Sequence, residues 1–161
     1  MVYVTGEWVV HFTHGLGQVL GIEERTMNNA QAMYYVVQAA DLTIWVPMDN
    51  NIQRRLRSPS KAAEFREIIS TLSEPAESLP DDYRQRNQQL QIRLKEGTAE
   101  SWCKLLRDLT AYRHGRTWSD HDQALIKSVR KILLAEWSFS LSITPEQADI
   151  DLRRLLTPAL N

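Results

Sequence analysis

The sequence predicts an α+β chain of two domains, a small antiparallel β barrel followed by an all-helical bundle. Two observations carry this. Residues from about 6 to 57 are short runs rich in Val, Ile, Tyr and Trp, broken by Gly, Asn and Asp, which is the pattern of strands joined by tight turns. After Ser58-Pro59 the apolar residues fall instead at helical spacing, and they keep it to the end of the chain. The expected division is therefore 1–57 and 58–161.

In the first part the predicted strands are Trp8 to His11, Gly17 to Glu24, Met33 to Ala39 and Leu42 to Val46. The turn signals His14-Gly15, Asn28-Asn29 and Ala40-Asp41 make the connections hairpin-like and the sheet antiparallel. A sheet this small has no covering helix. It must curl to bury one face, as SH3-like and Tudor-like modules do.

The second part reads as a series of helices. Ser58 and Pro59 have the character of an N-cap and a first helical residue, ahead of the apolar stripe Phe65, Ile68, Ile69 and Leu72. That helix should stop near Ser73, before a polar, proline-bearing stretch. Pro80 is placed to begin a second helix from Asp81 to about Glu96, ended by Gly97. A third starts at Thr98, with Trp102, Leu105, Leu106, Leu109 and Tyr112 on one face, and Gly115 closes it. Ser119 caps a fourth, with Asp120 and Asp122 in its first turn, and its wide apolar face makes it the spine of a bundle. Thr144-Pro145-Glu146-Gln147 opens the last helix, which runs through Leu152, Leu155 and Leu156 before Pro158.

Composition restricts the function. The chain of 161 residues is 43% hydrophobic and 24% charged, within the range of soluble globular proteins. No apolar run approaches the roughly 20 residues needed to cross a bilayer. The N-terminus lacks the basic and long apolar regions of a secretory signal, so the expectation is a cytoplasmic protein without membrane contact. A formal net charge of -1 is unlike that of proteins that bind nucleic acid unaided, so any DNA contact must be local or assisted.

Candidate chemistry is sparse. His11 and His14 are spaced H-x-x-H but lie at a strand end and a glycine turn, with no further ligand at useful spacing, and His114 and His121 flank another turn. Neither pair is expected to hold a metal. Cys103 lies on an apolar stripe and is expected to be a small buried hydrophobe. There is no G-x-S-x-G elbow, and Gly15-Leu16-Gly17 sits inside a hairpin instead of before a helix. The expectation is no catalytic residue, no cofactor, no small-molecule substrate and no enzyme. The basic residues are more informative. Tyr83 stands beside Arg84 and Arg86 near the start of a helix, where a ring can wedge against a base step while guanidinium groups hold phosphates. The same pattern is also ordinary surface decoration.

The string GEWVVHFTHGLGQVLGIEER, followed by YYVVQAADLTIWVPMDN, resembles the N-terminal module of the CarD family of bacterial transcription regulators, which is shared with transcription-repair coupling factor. The residues that carry it include Gly6, Val9, Val10, His14, Gly15, Gly17, Val19, Ile22, Glu23, Tyr34, Leu42, Val46, Pro47 and Asn50. The resemblance continues through LKEGTAESWCKLLRDLTAYR and ILLAEWSFSLSITPEQAD, and so covers nearly the whole chain. It implies a Tudor-like domain that docks on the β subunit of RNA polymerase, with Arg25, Trp45 and Pro47 as the contact residues. It also implies a helical domain that touches promoter DNA in the minor groove at the upstream edge of the bubble. Tyr83 matches the position of the family's wedge, usually tryptophan, with Arg84, Arg86, Arg113 and Arg116 as the nearby cations. Trp45 stands where a basic or flexible residue is often found, and Tyr112 and Gln123 replace frequently basic positions. The implied function is stabilisation of the promoter open complex by a regulator of the bacterial cytoplasm and nucleoid. The alternative is a polymerase-binding adaptor without productive DNA contact.

Overall fold

The computed structural model describes residues 2–156, and it divides into two compact units with the boundary between Pro59 and Ser60. The first unit is a five-stranded antiparallel sheet in the order β4-β3-β2-β1-β5. The strands are β1 (Trp8–His11), β2 (Gly15–Met27), β3 (Ala30–Ala39), β4 (Leu42–Pro47) and β5 (Leu56–Arg57), with a single 3-10 turn at Ile52–Arg54 before the last. The sheet curls around Tyr3, Val9, Val19, Tyr35, Val37, Val46 and Leu56, with Ile44, Met48 and Ile52 packed against them. This is the Tudor-like barrel that the alternation of apolar residues predicts.

Two features exceed the expectation. β2 and β3 form a hairpin longer than the predicted strands, paired from Gln18↔Gln38 out to Met27↔Ala30. The turn at its tip places Asn28 and Asn29 at φ of 52° and 64°, a left-handed pair whose twist matches the flanking strands. β5 is a short strand that pairs with β1 through Val10↔Arg57 and His11↔Leu56. Gly17 is needed where it stands. A Cβ there would meet Val37 Cγ1 at 2.7 Å and the Gln38 carbonyl oxygen at 2.9 Å.

The second unit contains α1 (Ala62–Ile69), a 3-10 turn at Ser70–Ser73, α2 (Tyr83–Lys95), α3 (Ala99–Arg113), α4 (Asp120–Leu141) and α5 (Pro145–Leu156). Its core is Phe65, Leu72, Leu90, Trp102, Leu105, Leu106, Leu109, Val129, Leu133, Trp137 and Leu152, all nearly or wholly inaccessible. Cys103 is buried among them, as expected, and burial pushes its thiol pKa up. Thr98 and Ser119 cap their helices through their side chains, accepting from Ser101 N and Asp122 N. Thr144 Oγ1 accepts from Gln147 N at 3.1 Å at the start of α5. Pro158, expected to follow α5, lies outside the described residues.

Two helix starts differ from the prediction. α1 begins at Ala62 and not at Ser58-Pro59: Lys61 is its extended N-cap, and just before it the Ser60 N–H and hydroxyl both donate to Glu136 Oε2 of α4, at 2.9 and 3.0 Å. α2 begins at Tyr83, two residues later than expected, because Asp82 takes the N-cap position and accepts from Gln85 N at 3.0 Å.

Candidate functional site

In the barrel, the two faces of the sheet are set by register. Tyr35, Val37, Ile44 and Val46 point into the core, so Tyr34, Val36 and Trp45 point out. Glu23 pairs with Tyr34, and Arg25 with Ala32, which brings both onto this outer face. The outcome is a cluster across three strands. Trp45 Nε1–H donates to Glu23 Oε2 at 3.2 Å, and the Arg25 guanidinium carbon stands 4.5 Å from the centre of the Trp45 ring. Trp45 remains 37% exposed. Pro47 lies in register with Tyr34 at the end of β4, half-buried, and its carbonyl accepts from Arg55. Arg25, Trp45 and Pro47 thus fall on one side of the barrel, with Trp45 and Pro47 on β4, which lies at an edge of the sheet. Such an edge offers unpaired main-chain groups to an incoming strand. Glu23 is a residue that sequence reasoning did not single out as a contact. Its signal is the hairpin register, which places it diagonally across β3 from Trp45.

In the helical unit, Tyr83 is 53% exposed at the first position of α2. Its ring meets that of His121 edge-on with centroids 6.3 Å apart, and His121 Nε2 shares a 2.9 Å hydrogen bond with Asn87 Oδ1. The start of α4 therefore braces the start of α2. Arg84 is exposed beside Tyr83.

Arg86 and Arg113, expected to reach DNA, form ties within the helical unit. Arg86 is 6% exposed, and its Nη1 donates to the carbonyls of Pro80 and Asp81 and to the Tyr112 hydroxyl at 3.1, 2.9 and 2.9 Å. Arg113 donates through Nε to Asp122 Oδ2 at 2.7 Å and through Nη1 to the Thr117 carbonyl at 3.1 Å. Both side chains are also largely covered, the Arg113 side chain being 11% exposed. Arg116 differs. Half exposed, it stacks 4.0 Å from the Tyr112 ring centre and lies 3.6 Å from the carboxylate of Asp81. The Tyr112 ring thus collects the three guanidinium groups of Arg86, Arg113 and Arg116. Each cation over a ring contributes about 0.5–1 kcal/mol at an exposed site. A cleft of about 420 Å³ opens beside it, with Glu77, Ser78 and His114 among its lining residues.

The segment between the 3-10 turn and α2 is fastened from below. Asp108 of α3 is fully buried and accepts from Arg93 Nη1 at 2.5 Å, Arg107 Nε at 2.8 Å and Glu77 N at 2.9 Å. Burial alone would lower the pKa of Arg107; the hydrogen bond and charge of Asp108, with Glu77 and Glu74, outweigh it and raise the value. No group of three or more His, Cys, Asp or Glu among the described residues could hold a metal ion. No helix among them is long and apolar enough to cross a membrane.

The family description "CarD-like/TRCF RID domain" matches residues 3–58, and "CarD, C-terminal domain" matches residues 67–153. The chain belongs to the CarD family. The first CarD match spans the barrel, and the second runs from within α1 to within α5. A similar protein, "Putative transcription factor YdeB" of Bacillus subtilis (strain 168), is 19% identical over 144 residues, which cover 88% of this chain and 94% of that one. CarD-like proteins are non-enzymatic transcription regulators that interact with RNA polymerase.

Proposed function

We propose that this CarD-family protein docks on the β subunit of RNA polymerase through the β4 side of its barrel, with Arg25, Trp45 and Pro47 at the contact. Its helical unit then touches promoter DNA at the upstream edge of the bubble, in the minor groove, through Tyr83, Arg84 and Arg116. Tethering through polymerase supplies the effective concentration that a chain of near-zero net charge lacks for binding DNA alone. The protein acts in the bacterial cytoplasm, at the nucleoid.

The observation that carries this reading is Tyr83 itself: a large aromatic side chain left half exposed at a helix start and braced by His121 on the neighbouring helix. A ring held this way is pre-organised to wedge against an unstacked base step. Because that geometry exists only once DNA is melted, the contact favours the open over the closed complex. A differential contact of about 1–3 kcal/mol shifts the equilibrium roughly 5- to 150-fold. Abortive transcription with Tyr83→Ala tests this. The open complex should become shorter-lived while polymerase binding is kept; an unchanged lifetime removes the wedge.

The internal ties of Arg86 and Arg113 favour a second reading, an adaptor that binds polymerase without productive DNA contact. The salt dependence of promoter-complex affinity separates the two. With phosphate contacts from Arg84 and Arg116 the slope falls when both are replaced by alanine, and without them it stays the same.

A further inference from the structure

We propose that Glu23 is a positioning residue that latches the Trp45 indole inward and so keeps the β4 edge open for polymerase, an inference that rests on β4 being the docking edge. Trp45 is on β4, in register with Val36 of β3, whereas Glu23 is on β2, in register with Tyr34. For its Nε1–H to reach Glu23 Oε2 at 3.2 Å, the indole must lie across β3, pointing away from the edge. Val36 bears the mark of this: it faces outward yet is only 9% exposed. Arg25 closes the ring from above, 4.5 Å from its centre.

The direction of lean matters for strand addition. A strand added to β4 places a side chain on the same face within about 5 Å of the Trp45 Cβ. An indole leaning toward β2 leaves that space free. An indole released from Glu23 can adopt the opposite side-chain rotamer, which carries the ring over the edge and into the volume the incoming strand needs. The partner that fits is an extended polymerase segment pairing along β4, with a side chain seated beside the inward-leaning indole. The acidic residue then matters for docking through its hold on Trp45, with no contact of its own to polymerase.

The test is a double-mutant cycle on the full chain with purified polymerase. Glu23→Thr is too short to reach the indole but suits a strand, and Trp45→Phe keeps the ring without an N–H. Glu23→Thr should weaken binding by about 3- to 10-fold in the Trp45 background and leave it unchanged in the Trp45→Phe background. In ¹⁵N-edited spectra of the free protein the Trp45 indole N–H should shift upfield and exchange faster with solvent in Glu23→Thr. Equal losses in both backgrounds, or an indole signal that does not move, overturn the latch. If Trp45→Ala weakens binding and Glu23→Thr does not, the latch alone is wrong. If Trp45→Ala binds as well as the unaltered chain, the docking reading fails and the latch with it.

Discussion

Replacing Asp108 with alanine should unfasten the helical unit. The carboxylate is wholly inaccessible and has three donors, the guanidinium groups of Arg93 and Arg107 and the main-chain N–H of Glu77. Alanine leaves Arg107, whose side chain is 2% exposed, with the Thr71 carbonyl at 3.3 Å and Glu74 at 3.5 Å as its remaining partners. Arg93 fares better, being 18% exposed and still within 3.5 Å of Glu77. Breaking one side of a buried ion pair costs about 3–5 kcal/mol, whereas the Glu77 N–H, on an exposed residue, can turn to water at little further cost. The expected total is about 3–5 kcal/mol, a large part of a domain's ~5–15 kcal/mol. Urea denaturation followed by the fluorescence of buried Trp102 and Trp137 measures it. Hydrogen exchange at Glu77 should accelerate in parallel. Asp108→Asn, which keeps an acceptor oxygen but loses the charge, should lose less. A change below about 1 kcal/mol in Asp108→Ala would refute the reasoning, since surface ion pairs alone give that much.

Other consequences are smaller. His11 is held neutral, with its pKa lowered to about 4 chiefly by burial and then by the charge of His14, while its Nδ1 accepts from the N–H groups of Thr13 and His14. The unfolded chain therefore binds the extra proton first, so barrel stability should be full above about pH 6.5 and decline as pH falls toward 4; His11→Asn should flatten that part of a melting-temperature profile. Gly17→Ala should destabilise the barrel by about 1–3 kcal/mol in thermal denaturation, because its new methyl group meets Val37 and the Gln38 carbonyl. Asp149 joins α4 to α5 through Arg130 and is bonded to Arg153, and these hydrogen bonds hold its carboxyl below the usual range. Asp149→Asn should cost less than about 1 kcal/mol at neutral pH, and the difference from the unaltered chain should close as acid protonates the carboxyl.

Local patterns revealed most of the fold and less of the site. Strands facing the core alternate visibly, and helix caps such as Thr98 and Ser119 announce themselves by residue type. The outer half of the β2–β3 hairpin did not, because residues 25 to 32 cover no core and so carry no alternation. β5 is Leu56–Arg57, too short for any period to register. The start of α1 departs from the local Ser-Pro signal because Ser60 is tied to a distant partner, Glu136. The same cause hid the fate of Arg86. Its neighbours in sequence mark it as a surface cation, whereas the groups that bury it include Tyr112, which only the folded bundle brings near. The exposure of Tyr83 follows from its place at a helix start, whereas its contact with His121 comes from a residue 38 positions away and leaves no local signal.

The reach of the β2–β3 hairpin separates two kinds of selection. From Ile22 to Met33 every residue is exposed, so this stretch adds almost nothing to the barrel's interior. Substitutions there should hardly register in melting temperature, leaving the tip free to vary while the base stays constrained by Val19, Tyr35 and Val37. Orthologous chains from different hosts should therefore exchange hairpin tips between them without refolding the rest.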